Sequence, residues 1–321
     1  MLGRPVTVRV PATSANLGPG FDSLGLAFDL YDEVTVEAYA VTPGLPAVRI
    51  CVEGEGAGAV PGDESHLVVR SLHAGLARAG VERPGLWLTC RNRIPHGRGL
   101  GSSSAAIVAG LLAARGLLVE PERLDDGVVF ELATGAEGHP DNAAATLFGG
   151  FTVAWTEGVG DRGARGAARA VRVAVDPRVR VVLCVPGGEL ATSRARAMLP
   201  AHVPHADAAF NAGRSALLVE ALSRRPEVLF AATEDRLHQA LRASAMPQTD
   251  VLLRAVRSEG VAAVVSGAGP SLLVLGMGDE PLSAVGVSLA ACGPQIGAWR
   301  VFSPSIDTSG AILLTDSRHG G

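Results

Sequence analysis

The residues with the most chemical content lie in three loops. The first is Pro95-His96-Gly97-Arg98-Gly99-Leu100-Gly101-Ser102-Ser103-Ser104-Ala105, between a strand-like run at 86–94 and an apolar run at about 103–118 that reads as a helix. Glycines let a backbone approach a ligand closely and turn successive N–H groups into one hollow. A helix N-terminus adds unpaired donors and partial positive charge, so this turn suits a phosphate, and a serine hydroxyl within it can ligate Mg²⁺. It lacks the GK[ST] ending of a Walker A loop, the GxGxxG fingerprint and the GxSxG spacing of a nucleophile elbow. A plain glycine turn with serine caps and no ligand also fits the pattern.

The second loop, residues 11–22, brings the Asn16 amide and the Asp22 carboxylate to one compact turn. Such a pair suits the ammonium or hydroxyl of a small polar substrate, although Asx turns use the same residue types structurally. The third is Glu137-Gly138-His139-Pro140-Asp141-Asn142, which follows a helix that opens at Pro121 and carries Glu131. One carboxylate with a serine hydroxyl suits Mg²⁺ held largely by phosphates, whereas the spacing and the absence of a nearby cysteine exclude zinc.

Composition narrows the chemistry further. All 28 basic residues of the 321 are arginine, which removes Schiff-base catalysis and every phosphate-binding device that needs lysine. A net charge of −4 with only 4% aromatic residues argues against a nucleic-acid partner. Cys51, Cys90, Cys184 and Cys292 lie far apart with no CxxC pair, as expected of reduced thiols in a cytoplasmic protein. No apolar signal-peptide core is visible, and the longest uncharged run, 260–278, is broken by glycines and a proline into two short strands around a turn, so no membrane partner is expected.

The elements that must position these loops follow from periodicity. Val6, Val8 and Val10 alternate as a strand that Pro11 ends, and Val34 and Val36 mark a second strand. A helix follows Ser65. Further strands are expected at 151–156, 171–175, 179–185, 261–265, 272–275, 299–302 and 311–314, with helices near 192–198, 206–223, 229–243, 250–258 and 282–291. The low-complexity stretch 157–170 reads as a surface loop dividing the chain into 1–165 and 166–321. There is no internal repeat.

Together with Ser266-Gly267-Ala268-Gly269-Pro270-Ser271, the three loops resemble the GHMP kinases, in order, spacing and strand–helix context over most of the chain. The GLGSSSA turn is similar to that family's ATP-phosphate loop and SGAGPS to its third motif. Within the family, SANLGPGFDSLGLA and EGHPDN are most similar to the homoserine kinases, as are Thr192-Ser193-Arg194-Ala195-Arg196 and Leu237-His238-Gln239-Ala240-Leu241-Arg242. Mevalonate-type members carry a lysine in the first motif that this chain lacks.

The resemblance implies an α+β, two-domain fold. Its N-terminal domain, with the ATP loop, would resemble the second domain of ribosomal protein S5, and its C-terminal domain a ferredoxin-like layer. It implies ATP-dependent phosphorylation of L-homoserine, with Arg196 and Arg242 on the amino-acid carboxylate. Asn16, Asp22, His139 and Thr192 would line the rest of the substrate site, with Gly267 and Gly269 beside it. Mg²⁺ would sit on Ser103 and Glu131, with Glu137 flanking the same loop. Asp141 or Asn142 falls where mevalonate-type kinases place a catalytic aspartate, a role homoserine kinases are thought to leave unfilled. Another GHMP-type kinase (shikimate or diphosphocytidyl-methylerythritol type) and a non-catalytic sensor of the same fold are the alternatives. A homodimer is left open.

Overall fold

The computed structural model describes residues 4–41, 44, 46–158 and 166–314. Among the described residues, eleven strands form two sheets. The larger contains β1 (Val6–Ala15), β2 (Leu24–Tyr39), β3 (Val48–Gly54), β4 (Gly85–Asn92), β5 (Phe151–Thr156), β6 (Ala168–Val173) and β11 (Ile312–Leu314). Its order is β11-β1-β2-β4-β3, and β5 joins β2 to β6. Every pairing is antiparallel except β3 with β4. The smaller sheet is antiparallel, ordered β10 (Trp299–Phe302), β7 (Val179–Pro186), β9 (Leu272–Met277), β8 (Ala262–Val265).

Side-chain alternation fixes the register of the large sheet. Val8 lies opposite Val34 and Val34 opposite Cys90, while Val36 meets Leu88. All five are buried, and Trp87, next to Leu88 on β4 and pointing to the other face, is half exposed. A slip of one residue would turn this apolar row to water. The row meets a layer of helices, α1 (Leu67–Arg78), α2 (Ser102–Leu117), α3 (Asp126–Glu137) and α4 (Asp141–Phe148). Helix α2 is apolar nearly all round because it lies inside that layer, where Ile107, Val108, Leu111 and Leu112 are all buried.

Helices α5 (Thr192–Ala197), α6 (His205–Ser223), α7 (Leu229–Ala232), α8 (Gln239–Arg242), α9 (Pro247–Ser258) and α10 (Glu280–Cys292) accompany the small sheet. Along β9, Leu272 and Val274 pack with Leu252, Val256 and Val285 of α9 and α10. Leu273 and Leu275 point the other way, into the same core as Leu218 and Leu222 of α6. The strand period of two thus gives the small sheet two packed faces, one of them merged with the main core. Among the described residues no helix is long and apolar enough to cross a membrane.

The structure departs from the sequence expectations at five places. Strand β1 passes through Pro11 and shifts register between Pro11 and Ala12, a bulge that absorbs the missing N–H. Val34 and Val36 belong to a strand of 16 residues that begins at Leu24. Edge strand β3 was not expected, although Val48, Ile50 and Val52 alternate with the exposed Arg49, Cys51 and Glu53. The expected helix at 229–243 is broken, because the Asp235 carboxylate accepts the backbone N–H groups of Leu237, His238 and Gln239 and starts α8 afresh. Finally, β6 begins at Ala168 and pairs with β5, so the end of the low-complexity stretch belongs to the large sheet, and residues 159–165 lie outside the described residues. The chain passes from the large sheet to the small one between β6 and β7.

Helices α1 and α2 touch through glycine. A Cβ on Gly110 would lie 2.3 Å from the Val68 carbonyl oxygen, a backbone atom that cannot step aside alone. Gly110→Ala is expected to cost about 1–3 kcal/mol in urea unfolding. Gly213→Ala on α6, where a Cβ would meet nothing within 4 Å, is expected to be neutral or stabilising.

Candidate active site

The three loops and the SGAGPS turn converge on one cleft where the ends of the two sheets meet. Gly97, Gly99 and Gly101 have φ of 63°, 72° and 72°, the left-handed region that glycine enters without strain. Gly101 caps α2 with no side-chain hydrogen bond, so the first amides of this 16-residue helix keep their donors. The loop is braced from the small sheet. A Cβ on Gly99 would lie 2.2 Å from the Ser266 carbonyl oxygen, the Ser266 hydroxyl donates to the Gly99 carbonyl at 2.6 Å, and the Leu190 N–H donates to the Gly97 carbonyl at 2.9 Å.

The eleven residues of the expected ATP loop divide by position. Gly97, Gly99, Gly101, Ser102 and Ser103 line the cleft. Pro95, Leu100, Ser104 and Ala105 are buried behind it, and His96 faces a neighbouring apolar niche. Arg98 is committed elsewhere, donating to the carbonyls of Pro186, His96 and Gly187 and pairing with Glu189. Of the two glycines in the third motif, Gly267 lines the cleft, while Gly269 packs against Gly99 and Met246.

The acidic side of the cleft differs from expectation. Glu131 is exposed and outside the cleft, whereas Glu137 lines it and bonds Ser103. Six residues on an α-helix turn the side chain well away from its starting direction, so α3 cannot present both carboxylates to one ion. The structure therefore does not bring Ser103 and Glu131 together, and Glu137 is the carboxylate beside Ser103. Burial raises the Glu137 pKa, partly offset by the Ser103 hydroxyl and His139. A side chain only 9% exposed, with raised pKa and a serine oxygen beside it, fits a hard divalent cation that would stabilise its ionised form.

His139 Nδ1 and Asp141 Oδ1 are 2.6 Å apart, and the same oxygen accepts the Asn142 N–H at 2.7 Å, at the start of α4. Burial lowers the His139 pKa, but Asp141, Glu137 and Asp22 outweigh it and hold it above its usual value. The Asn142 side-chain oxygen accepts from the Thr13 hydroxyl at 2.8 Å.

Asn16 and Asp22 both adopt positive φ, 67° and 55°. Asn16 ties the turn together by accepting the Asp22 N–H through Oδ1 and donating to the Gly267 carbonyl through Nδ2. Arg196 of α5 grips Asp22 with two hydrogen bonds, at 3.0 and 2.7 Å, and Thr192 at the start of α5 lines the cleft nearby. Arg242 of α8 is 2% exposed yet also lines the cleft. It donates to the Ala195 carbonyl and to His238, and no carboxylate among the described residues is within ion-pair distance of it.

One feature had no sequence motif. Beside the N-terminus of α2 lies a mainly apolar niche formed by Val10, Val34, Val60, Leu67, Val68 and Ala109, with Asp32, His66 and Asn92 at its edges. It shares Ser102 and Ser103 with the cleft. Burial pushes the Asp32 pKa up to about 6, against the N–H groups of Ile94 and Arg93 that bind it.

Residues 66–150 match the GHMP kinases N terminal domain. The chain is 54% identical over 275 residues to the homoserine kinase of Streptomyces coelicolor, covering 85% of each chain. It is 48% identical to that of Clavibacter michiganensis, covering 97% of this chain and 94% of the relative. Among solved structures it resembles homoserine kinase from Cytophaga hutchinsonii, with TM-score 0.82, 26% identity and 98% of both chains covered. Mevalonate kinase from L. major, at 14% identity and TM-score 0.62 over 93% of this chain and 96% of that one, shares the fold. The chain belongs to the homoserine kinase family of the GHMP kinases.

Proposed function

We propose that the chain transfers the γ-phosphoryl group of ATP to the side-chain hydroxyl of L-homoserine, giving ADP and O-phospho-L-homoserine in threonine biosynthesis. The observation that carries this reading is Arg242. A buried guanidinium without a carboxylate partner is costly, and one that faces a cleft is completed by an anionic ligand. The Asp22–Arg196 pair beside it supplies the complementary logic. The head of an α-amino acid carries both charges, so its ammonium and carboxylate can exchange with the two halves of that pair.

On the nucleotide side, the open amides at the start of α2 and the glycine loop hold phosphates and meet charge developing on the transferred group. The apolar niche takes the base, and His66, whose Nδ1 has no partner among the described residues, offers its polar edge a contact. Ser103 and Glu137 would hold Mg²⁺, which when bound neutralises phosphate charge. His139, locked on Asp141, presents its other nitrogen toward Glu137 and adds positive charge to the cleft. Asp141 is spent on His139 and on the α4 amide, so we assign it no role as general base. Positioning dominates the rate, and the hydroxyl proton leaves through the phosphate.

An ADP-release assay across homoserine, shikimate, mevalonate and galactose tests the reading directly, with turnover expected for homoserine. Reaction with another of the four in its place would sink it. Arg196→Ala and Arg242→Ala are each expected to raise the homoserine KM roughly 30-fold or more, the equivalent of ~2 kcal/mol for a charged hydrogen bond, with little change in the ATP KM. Glu137→Gln should raise the Mg²⁺ concentration needed for half-maximal rate at least tenfold (roughly what one lost charged ligand costs), whereas Glu131→Gln should leave it unchanged. For Asp141→Asn we expect a kcat loss within about tenfold; a drop of 10²–10⁴, roughly the worth of a general base, would give Asp141 that role.

A further inference from the structure

We propose that His238 is a positioning residue for substrate binding: with its proton on Nε2, it offers Nδ1 as the acceptor that fixes the guanidinium of Arg242. The proposal rests on Arg242 as the carboxylate anchor. His238 is 1% exposed and does not line the cleft, so it acts through the arginine rather than on a ligand.

Two contacts from opposite sides define its tautomer. Nε2 lies 2.7 Å from the Gly18 carbonyl oxygen, which can only accept, so the proton is there. Nδ1 lies 3.2 Å from Arg242 NH1, which can only donate, so Nδ1 must carry the lone pair. A proton on Nδ1 would set two donors against each other at the one place where the guanidinium needs an acceptor. The charged groups around the ring are Arg242 on α8, Asp235 with Oδ2 3.8 Å from Nε2, and Asp22 on the facing loop. Burial leads in lowering the His238 pKa, which keeps the ring neutral.

The rest of the local structure holds the pair in register. His238 and Arg242 are four residues apart across the single turn of α8, where side chains meet. Asp235 anchors the start of that turn through three backbone amides. The Phe21 ring packs beside both, 5.3 Å from the His238 ring and 5.5 Å from the Arg242 guanidinium carbon. With Nε on the Ala195 carbonyl and one NH1 proton on His238, NH2 and the second NH1 proton have no hydrogen bond among the described residues and are left for a ligand in the cleft. An arginine ordered in advance gives up less side-chain entropy when ligand binds, and that difference appears in KM.

The test compares steady-state constants of the full chain for wild type, His238→Asn, His238→Gln and Arg242→Ala. An Asn side chain sets an oxygen near the position of Nδ1 and retains the acceptor for Arg242. A Gln side chain sets its amide nitrogen near Nε2 and retains only the Gly18 contact. We expect His238→Gln to raise the homoserine KM roughly tenfold or more, with the ATP KM and kcat changed by less than about threefold, and His238→Asn to stay within about threefold of wild type. Equal increases in both variants, or none in His238→Gln, would overturn the proposal. If Arg242→Ala leaves the homoserine KM unchanged, the carboxylate assignment fails as well; if it raises KM and His238→Gln does not, only the role of His238 fails. Nitrogen NMR of histidine-labelled wild-type protein at neutral pH needs no variant. A protonated Nε2 and an unprotonated Nδ1 for His238 are expected, and the reverse tautomer would refute the geometry.

Discussion

The contact between Gly99 and the Ser266 carbonyl sets the spacing on which the rest of the site depends. A Cβ there would lie 2.2 Å from that oxygen, so the two loops approach as closely as backbones can. The amides proposed to hold phosphate belong to α2 on the large sheet, whereas Arg242 and Arg196 come from helices that accompany the small one. The distance between phosphate donors and arginines is therefore the distance between the sheets, and this junction fixes it. Ser266 reinforces the contact with its hydroxyl, bonding both Gly99 and Ser14, and the Gly267 N–H donates to the Ala15 carbonyl. Three of the four motifs are thus fastened to one another by backbone before any ligand is considered.

Within that frame, the charged groups are left incompletely matched. Among the described residues, Glu137 has a hydroxyl and a histidine near it but no arginine, Arg242 has no carboxylate partner, and Asp22 shares Arg196 across a half-exposed pair. A rigid interior makes such mismatches costly, since the groups cannot relax toward one another. On the proposed reading, a ligand combining phosphates, a cation and a zwitterionic head would remove most of these costs together. On that reading, fit to ligand and the cost of the unfilled cleft are two aspects of one charge arrangement.

What could be read from the sequence tracks how local each signal is. The glycine–serine loop, the Asn16–Asp22 turn and the EGHPDN segment are contiguous, and each lies in or beside the cleft. Glu131 lies outside the cleft and Glu137 in it, and choosing between two carboxylates on α3 requires the angle at which the helix meets the loop. Asp235 was invisible for a related reason: its three backbone contacts break a helix that apolar spacing alone would continue. The niche beside α2 draws single residues from many elements, so no window of sequence contains it. Pro11 shows the opposite failure, a strong local stop signal overridden by a bulge inside a sheet that continues on both sides.

Strand β11, only three residues long, pairs with β1 on the edge opposite β2. Some three hundred residues separate Arg9 from Ile312, which lie side by side. The whole small sheet is therefore an excursion made between the first and last strands of the large one. During synthesis, one edge of β1 must wait for nearly the entire chain to emerge before it gains this partner. Closing so long a loop is among the slower events in folding, which makes β1 the natural place for premature pairing with other chains until β11 arrives.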